Sequence, residues 1–487
     1  MINFKKPLNF IDGEFCSSSS HESFDKFSPS TGQKLCTVPL ATSEDINRAV
    51  ACAKNIFPDW SKTPAAARGR ILWKAAQILR ANVDELAQVE SLDCGKPINE
   101  ARFDITCAAE VLEYYGGLAP SLHGQHIDLG QSFAYTRREA LGVCAGIGAW
   151  NFPLVIACWK IGPALASGNT MVFKPSEFTP LGLAYLAEAL ANSGLPAGVF
   201  NILQGDRRVG EELIRHKDIA KVSLTGSVPT GKKILSSVAD KVIPVTLELG
   251  GKSPLIIFDD CNLQEAVRGA MLANFVCQGE ICSNGTRVFI QENLYDKFVS
   301  ELLTQVKLIR VGNPLDTSTT MGALISQAHK EKVLRYIETA KREGATLLYG
   351  GDCPQLDAPF HTGNYINPTI FTDCTDEMTH VKEEIFGPVM SILKFKNEDS
   401  VIARANNTDY GLGASVFTQD LQKAHRVVAQ LQAGICWINN HNPSPVEIPF
   451  GGFKQSGLGR ENGLAVLEHY TQIKTVYVEM GKLPKYP

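Results

Sequence analysis

Apolar positions along the chain follow two spacings, and the change between them divides the chain into segments. Between Ser43 and Gly117 they recur at the helical period, which predicts a helix capped at Ser43 and a longer helix over residues 65–90. The longer helix is predicted to stop before the Asp93–Pro97 segment. Residues 9–39 carry short apolar patches among Ser and Gly, and we expect them to be extended and to wrap around the rest of the protein.

From residue 141 to 250 short apolar runs alternate with amphipathic stretches. The predicted strands are 143–149, 170–173, 199–203, 222–224 and 242–247, and the predicted helices between them are 154–166, 181–192, 209–216 and 230–239. Alternating strands and helices indicate a parallel, doubly wound sheet of the Rossmann-like α/β class. A second alternation begins at residue 254 and continues to about 438, which predicts a second α/β domain.

Two segments outside these domains alternate with period two. Residues 132–137 and 474–479 each have the pattern of a strand without a neighbouring partner in the sequence. An unpaired edge strand exposes backbone N–H and C=O groups that can pair with another chain. We therefore expect the two strands to pair with each other or with another subunit.

Composition narrows the class of protein. A chain of 487 residues is expected to form two or three domains, and its net charge of −4 argues against a nucleic-acid binder. The N-terminus has no apolar stretch of a secretory signal, and no run reaches the ~18 apolar residues of a membrane helix. Thirteen cysteines without a CxxC pair predict free thiols in a reducing cytoplasm.

One cysteine has a different setting from the others. Cys282 is flanked by Gly279, Ser283, Asn284 and Gly285, which are poor core residues. Upstream, a carboxylate ends a β-branched run at Glu248. A thiol and a carboxylate are the minimum set for forming and then hydrolysing an acyl-enzyme. Cys277, by contrast, is expected to be core packing, with a redox role as the lesser alternative.

Three of the predicted strands end in residues suited to a nucleotide. One end carries Asn151, and the next carries Lys174 and Glu177, whose carboxylate could accept both adenosine ribose hydroxyls and repel a 2′-phosphate, which favours NAD over NADP. The third leads into a Gly-x4-Gly turn at Gly226, which could face a pyrophosphate or be a plain structural turn. An ATPase P-loop is excluded because Lys233 stands where a Ser or Thr is required.

These motifs together resemble the aldehyde dehydrogenase superfamily. The matching segments run in the family's order along nearly the whole chain and are Trp150–Pro153, Lys174–Glu177, Thr225–Ser227, Glu248–Gly251, Cys282, Glu383–Pro388 and Pro449–Gly452. Within the superfamily, longer runs such as Leu224–Gly231, Pro244–Phe258 and Cys436–Asn440 most resemble the 4-trimethylaminobutyraldehyde and betaine aldehyde dehydrogenases.

The resemblance implies a role for each matching residue. Cys282 would attack the aldehyde, Asn151 would stabilise the oxyanion, Glu248 would activate water, and Lys160 and Glu461 would relay protons. The implied cofactor is NAD, bound by Trp150, Lys174, Ser176, Glu177, Gly226, Ser227, Thr230, Gly250, Glu384 and Phe386. Asp93 resembles a position near a monovalent-cation site (K+ or Na+), although a helix C-terminal cap explains it equally well.

The resemblance also implies an organisation into domains. Residues 1–118 and 141–249 would bind NAD, residues 250–466 would form the catalytic domain, and residues 119–140 and 467–487 would supply oligomerisation strands. The expected assembly is a homotetramer, a dimer of dimers, in the cytoplasm.

Four aromatic residues bear on the substrate. Phe152, Trp159, Trp437 and Phe450 could form a box around a quaternary ammonium by cation–π attraction. Relatives that act on trimethylammonium aldehydes often have Tyr in the position of Phe152. The alternative interpretation is therefore that the four residues form a generic tunnel for medium-sized aldehydes. A broad-specificity or 4-aminobutyraldehyde dehydrogenase is the alternative within this chemistry.

Glu280 is a second departure from the family pattern, which has Gln two positions before the nucleophile. A carboxylate beside the thiol would raise its pKa and steepen the rise of activity above neutral pH, unless Glu280 points away. Two other functions fit the sequence less well. A CoA-acylating dehydrogenase would lack the deacylating Glu248, and a non-catalytic descendant would have lost Cys282, Asn151 or Glu248.

Overall fold

The computed structural model describes residues 4–483 and 485–486 and contains two large sheets and two small ones. The elements of the first half of the chain are β1 (Asn9–Ile11), β2 (Glu14–Cys16), β3 (Ser23–Phe27), β4 (Lys34–Pro39), α1 (Ser43–Lys62), α2 (Ala65–Ala81), α3 (Val83–Cys94), α4 (Ile98–Leu118), β5 (His126–Asp128), β6 (Ser132–Ala140), β7 (Val143–Ile147), α5 (Pro153–Ala166), β8 (Thr170–Lys174), α6 (Leu183–Asn192), β9 (Phe200–Ile202), α7 (Arg207–Arg215), β10 (Ile219–Thr225), α8 (Val228–Val238) and β11 (Val245–Glu248).

The second half builds the other large sheet and returns to the first. Its elements are β12 (Pro254–Ile257), α9 (Leu263–Phe275), β13 (Arg287–Gln291), α10 (Tyr295–Val306), α11 (Gln327–Arg342), β14 (Thr346–Tyr349), β15 (Thr369–Thr372), α12 (Thr379–Lys382), β16 (Val389–Phe395), α13 (Glu398–Asn406), β17 (Gly413–Phe417), α14 (Leu421–Val428), β18 (Ile435–Ile438), β19 (Gly457–Leu458), α15 (Leu467–Tyr470) and β20 (Thr471–Glu479).

The predicted parallel sheet is confirmed. Strands β11, β10, β7, β8 and β9 lie side by side in that order and run parallel, with β1, β2 and β19 added at its edges. One apolar cluster packs α2, α4, α5 and α6 on one face, and another packs α1, α7 and α8 on the other. The second α/β region is also confirmed, with strand order β14-β15-β16-β13-β12-β17-β18.

Two differences between the predicted and the observed helices have a clear local cause. The single helix predicted over residues 65–90 is two helices, because the chain leaves helical geometry at Asn82 (φ −118°) and the Asn82 amide donates to the Ile78 carbonyl at 2.7 Å. That bond satisfies a terminal carbonyl of α2 and ends it. The cap of α1 is Thr42, one residue before the predicted Ser43, and forms a capping box with Asp45.

The two isolated strands pair with each other, which was one of the two expectations. Strands β20 and β6 pair antiparallel over nine register positions, from Thr471 opposite Ala140 to Glu479 opposite Ser132. Strand β5 completes this sheet on the far side of β6, so β20 is one of its edges.

The segment after β18 does not remain in the second sheet. Strand β19 pairs antiparallel with β11, which places Gly457 opposite Glu248. A bridge between Phe450 and Glu461 lies just beside it. Residues 450–461 therefore lie against the end of the first sheet at which Glu248 is located. Within the described residues, no helix is long and apolar enough to cross a membrane.

Candidate active site

The candidate residues of the first sheet lie along one edge. Because β11, β10, β7 and β8 run parallel, their carboxyl ends meet there. Glu248, Gly226, Asn151 and Lys174 lie at or just after those ends. The chain order reverses between β10 and β7, and such reversal points are where α/β sheets bind ligands.

The loop that carries Cys282 is held in a strained conformation. Cys277, Gln278 and Gly279 adopt consecutive left-handed conformations with φ of +50°, +46° and +76°. At Gly279 a Cβ atom would lie 2.3 Å from the carbonyl group of Gly387, so only glycine fits against that segment. Backbone strain of this kind clusters at functional sites.

Distant side chains fix the other end of the loop. His441 donates to the Ser283 carbonyl at 2.9 Å, and the Ser283 hydroxyl donates to Asn442 at 2.8 Å. Asn442 also donates to Asn284 at 3.0 Å. Sequence reasoning missed His441 and Asn442 because these contacts span more than 150 positions. The only signal was their place directly after the Cys436–Asn440 motif.

The Cys282 thiol is protonated at neutral pH in this state. Burial, together with the nearby Glu248 and Glu384 carboxylates, raises its pKa to about 12, while the N–H groups of Cys282 and Ser283 act in the opposite direction. The thiol therefore needs a base or a nearby positive charge to become a nucleophile.

Glu248 is a buried carboxyl without a hydrogen-bond partner. Its side chain is 2% exposed, and neither carboxyl oxygen has a partner among the described residues. Burial raises its pKa well above the usual value, and the nearby Glu461 adds to the effect. A buried carboxyl without a partner requires an explanation, and a carboxyl with a raised pKa is suited to general-base work near neutral pH.

Lys160 and Glu461 form a fully buried ion pair. Lys160 Nζ lies 2.7 Å from Glu461 Oε1, and both side chains are 0% exposed. The same oxygen accepts a hydrogen bond from Ser223 at 2.9 Å, and the other has no partner among the described residues. Ser223 was not predicted, although a polar residue in the buried strand β10 is a usable signal. The predicted relay pair is therefore brought together beside Glu248.

Asn151 faces the nucleophile loop. Its side-chain amide donates to the backbone carbonyl of Glu280 at 2.8 Å and is 5% exposed. A carboxamide NH2 group has two hydrogens, so one remains for another acceptor. The amide thus lies against the segment that leads into Cys282.

Glu384 and Phe386 follow α12 in the second α/β region and contact residues at the end of the first sheet. Glu384 accepts a hydrogen bond from the Gly251 N–H at 3.2 Å, and a Cβ atom on Gly250 would lie 2.1 Å from its carboxylate. Burial raises the pKa of Glu384 to about 7. Phe386, in a left-handed conformation with φ +63°, presents its ring to Trp150 at 5.2 Å.

The remaining predicted cofactor residues lie along the same edge. Lys174 Nζ is 3.1 Å from Glu177 Oε2, and the Ser176 hydroxyl accepts a hydrogen bond from the Phe178 N–H at 3.3 Å. Ser227 begins α8 without capping it, because its hydroxyl bonds to that of Thr230 at 2.9 Å. The N–H groups of the first turn of α8 therefore have no side-chain cap.

Three of the four predicted aromatic residues share a cluster with Cys282. Trp159, Trp437 and Phe450 pack together with Leu412 and Ile435 beside the thiol, and the rings of Trp159 and Phe450 are 5.2 Å apart. Phe152 lies in a different cluster, and the buried Lys96 ammonium is 4.2 Å from its ring centroid. At least one face of the Phe152 ring is therefore already occupied by a cation.

The Glu280 carboxylate points away from Cys282. It accepts hydrogen bonds from the Ile325 N–H at 3.0 Å and the Gln278 amide at 3.1 Å, and His329 lies 3.6 Å away. Burial is the main cause of the raised pKa of Cys277, to which Glu280 adds, whereas Glu248 and Glu384 are the carboxylates that add to the effect of burial on the pKa of Cys282. Glu280 is therefore not expected to steepen the rise of activity above neutral pH.

The sequence profile of the aldehyde dehydrogenase family matches residues 15–476, so the chain belongs to that family of oxidoreductases. It is 52% identical to betaine aldehyde dehydrogenase of Brucella anthropi over 98% of both chains. It is 53% identical to 4-trimethylaminobutyraldehyde dehydrogenase of Sus scrofa, over 98% of this chain and 97% of the relative. A crystal structure of betaine aldehyde dehydrogenase from Staphylococcus aureus in complex with NAD+ superposes with a TM-score of 0.95 at 37% identity, covering 98% of this chain and 96% of that one.

Proposed function

We propose that the chain oxidises a trimethylammonium or amino aldehyde to the carboxylate with NAD, through a thioester on Cys282. The observation that carries this proposal is the Cys282 thiol itself. It packs against an aromatic cluster and lies close enough to the Glu248 carboxyl for that group to raise its pKa, after burial as the main cause. The nucleophile therefore lies next to both a base and an apolar substrate site.

The residues along the sheet edge fit NAD. The uncapped first turn of α8 suits a pyrophosphate, the Lys174–Glu177 pair suits the adenosine ribose, and Glu384 with Phe386 suits the nicotinamide ribose. Gly250 leaves space beside Glu384 that any Cβ would fill. Bound NAD supplies the hydride acceptor for the oxidation.

Cys282 attacks the carbonyl carbon of the aldehyde as a thiolate, which has released its proton to water. Asn151 donates its free amide hydrogen to the oxygen that becomes negative, and the backbone N–H of Cys282 is the second donor. Loss of hydride from the former aldehyde carbon leaves a thioester on Cys282. The substrate carbon has then lost two electrons and one hydrogen.

Glu248 then takes a proton from water, and the resulting hydroxide attacks the thioester carbon and releases the carboxylic acid and the Cys282 thiolate. The proton leaves Glu248 toward Glu461, whose second oxygen has no partner among the described residues and whose first is held by Lys160 and Ser223. Hydrolysis rather than thiolysis by CoA follows from this buried base.

The aromatic cluster supports a cationic substrate. Ring faces of Trp159, Trp437 and Phe450 would each attract a quaternary ammonium by ~0.5–2 kcal/mol. The named substrates of the Brucella anthropi and Sus scrofa relatives carry such a group. Phe152 contributes less in this arrangement because the Lys96 ammonium already covers one side of its ring.

A substrate panel tests this assignment. The value of kcat/KM, from NADH formation, is expected to be roughly tenfold higher for betaine aldehyde than for 3,3-dimethylbutanal, its neutral isostere. The panel also includes 4-trimethylaminobutyraldehyde and 4-aminobutyraldehyde. Trp159→Leu should reduce the preference, and Trp73→Leu, a change at a half-exposed surface residue of α2, should not. A neutral isostere that is oxidised as well as betaine aldehyde would contradict the cationic-substrate assignment and leave a generic aldehyde tunnel.

We infer that the chain assembles as a homotetramer in the cytoplasm, where its thirteen unpaired thiols stay reduced. Strand β20 is a nine-residue edge of its sheet and carries the exposed apolar residues Ile473 and Tyr477. A long edge of this kind is normally covered by another chain. Light scattering should give a solution mass of about four chains, and the mass of a single chain would contradict the assembly.

A further inference from the structure

Lys26 is buried at a place where a strand would normally bury an apolar residue. In β3 the Lys26 side chain is 4% exposed, while the neighbouring Phe27 is 52% exposed. A charged group out of water is costly unless it is fully paired. The position therefore requires partners strong enough to hold an ammonium group in the interior.

The partners of Lys26 are three oxygen atoms. Lys26 Nζ donates to the backbone carbonyls of Asp93 and Phe178, each at 2.5 Å, and lies 3.3 Å from Asp93 Oδ1. The two carbonyls accept hydrogen bonds from the ammonium, and the Asp93 carboxylate oxygen contacts it as an ion-pair partner. Two carbonyls and a carboxylate form the kind of oxygen set that also binds hard metal cations.

This arrangement does not fit the monovalent metal ion that the sequence resemblance placed near Asp93. The ammonium already neutralises the carboxylate and occupies the space between the oxygens. Added K+ or Na+ would have to displace Lys26 and leave its charge buried without a partner, which is strongly unfavourable.

The same cluster of contacts anchors the loop that carries the proposed ribose carboxylate. Asp93 Oδ2 accepts a hydrogen bond from the Leu181 N–H at 2.8 Å. Phe178, whose carbonyl Lys26 holds, directly follows Glu177 in the chain. Lys26 and Asp93 thus fasten the segment 178–181 to the C-terminal end of α3.

We propose that Lys26 is a built-in cation, which takes the place of a bound K+ or Na+ and positions Glu177 for the adenosine ribose. Lys26 is a positioning residue, since it acts through the Phe178 carbonyl. The part of the inference that concerns Glu177 rests on the proposed NAD site. The part that concerns the cation does not, because the contacts of Lys26 exist without cofactor.

The wild-type chain provides the first test. Its melting temperature and its KM for NAD should be equal in KCl, NaCl and N-methylglucamine chloride at the same ionic strength. A melting temperature that rises saturably with K+ above the matched salt would overturn the proposal. The melting temperature requires neither NAD nor aldehyde, so failure of the NAD site would remove only the effect on KM.

Lys26→Ala provides the second test. In N-methylglucamine chloride its melting temperature should fall by roughly 5 °C or more, and its KM for NAD should rise about threefold to thirtyfold with kcat little changed. KCl should restore both in a saturable way, because the vacated oxygens then accept the ion. A Lys26→Ala chain that matches wild type, or does not respond to K+, would contradict the proposal.

A matched control lies on the same hairpin. Lys34 in β4 is 48% exposed and pairs with Asp25 at 2.7 Å on the surface. Lys34→Ala should leave both quantities unchanged in all three salts, because an exposed pair contributes little. If Lys26→Ala does not fold, Lys26→Ser, whose short side chain also vacates the oxygens, is measured in its place and has the same two outcomes.

Discussion

Replacement of Cys282 by alanine is expected to lower NADH formation by about 10⁴-fold or more, because no other group at the site can form the thioester. Steady-state rates with betaine aldehyde and NAD measure the loss. NAD binding, followed by quenching of tryptophan fluorescence, should persist, since the sheet edge does not depend on the thiol. A Cys282→Ala chain that retains more than a small fraction of wild-type turnover would contradict the mechanism.

The matched control for this change is Cys261→Ala. Cys261 is half-buried like Cys282, and burial raises its pKa to about 11. It lies beyond the carboxyl end of β12, the opposite end of that strand from Gly250 and Gly251. Its loss should leave kcat within about a factor of two, since a small buried thiol contributes packing alone.

Replacement of Glu248 by glutamine is expected to separate the two halves of the reaction. Without the base, hydrolysis of the thioester should slow by about 10²- to 10⁴-fold. Stopped-flow absorbance should then show one burst of up to one NADH per site, followed by slow turnover. A rate that falls equally in the burst and the steady state would mean that Glu248 acts mainly before the thioester forms.

The pH dependence of kcat follows from the same carboxyl. Burial raises the pKa of Glu248, so the group keeps its proton to a higher pH than an ordinary glutamate. Only the carboxylate accepts a proton from water. Because hydrolysis requires the carboxylate, we expect kcat of wild type to rise with pH through the raised pKa and Glu248→Gln to lose this dependence. Glu280→Gln is the control, because that carboxyl faces Ile325 and Gln278 and should leave the profile unchanged.

Much of the fold could be predicted because its signals are local. Buried parallel strands give short apolar runs, so β7 through β11 were found with small boundary errors. Residues such as Asn151 and Glu248 follow those strands, and the topology brings all the strand ends to one edge. The break at Asn82 was missed because a single polar residue within a helical pattern does not by itself end a helix.

Contacts between distant segments could not be read from the chain. The pairing of β19 with β11, the His441 contact with Ser283 and the burial of Lys26 depend on residues far apart in sequence. The side chain of Glu280 could have faced either way, and only the surrounding donors decide its direction. Likewise, Phe152 follows Asn151 in a shared motif, yet its ring packs in another cluster, under Lys96.

The central claim is that turnover passes through a thioester on Cys282 that Glu248 resolves. The most direct test is intact-protein mass spectrometry of Glu248→Gln, quenched in acid after mixing with NAD and betaine aldehyde, with peptide mapping of the adduct. The account predicts an added mass equal to the aldehyde less two hydrogen atoms, located on Cys282 and absent from the Glu248→Gln, Cys282→Ala double variant. An unmodified Cys282 during the burst, or an acyl group on another cysteine, would contradict it.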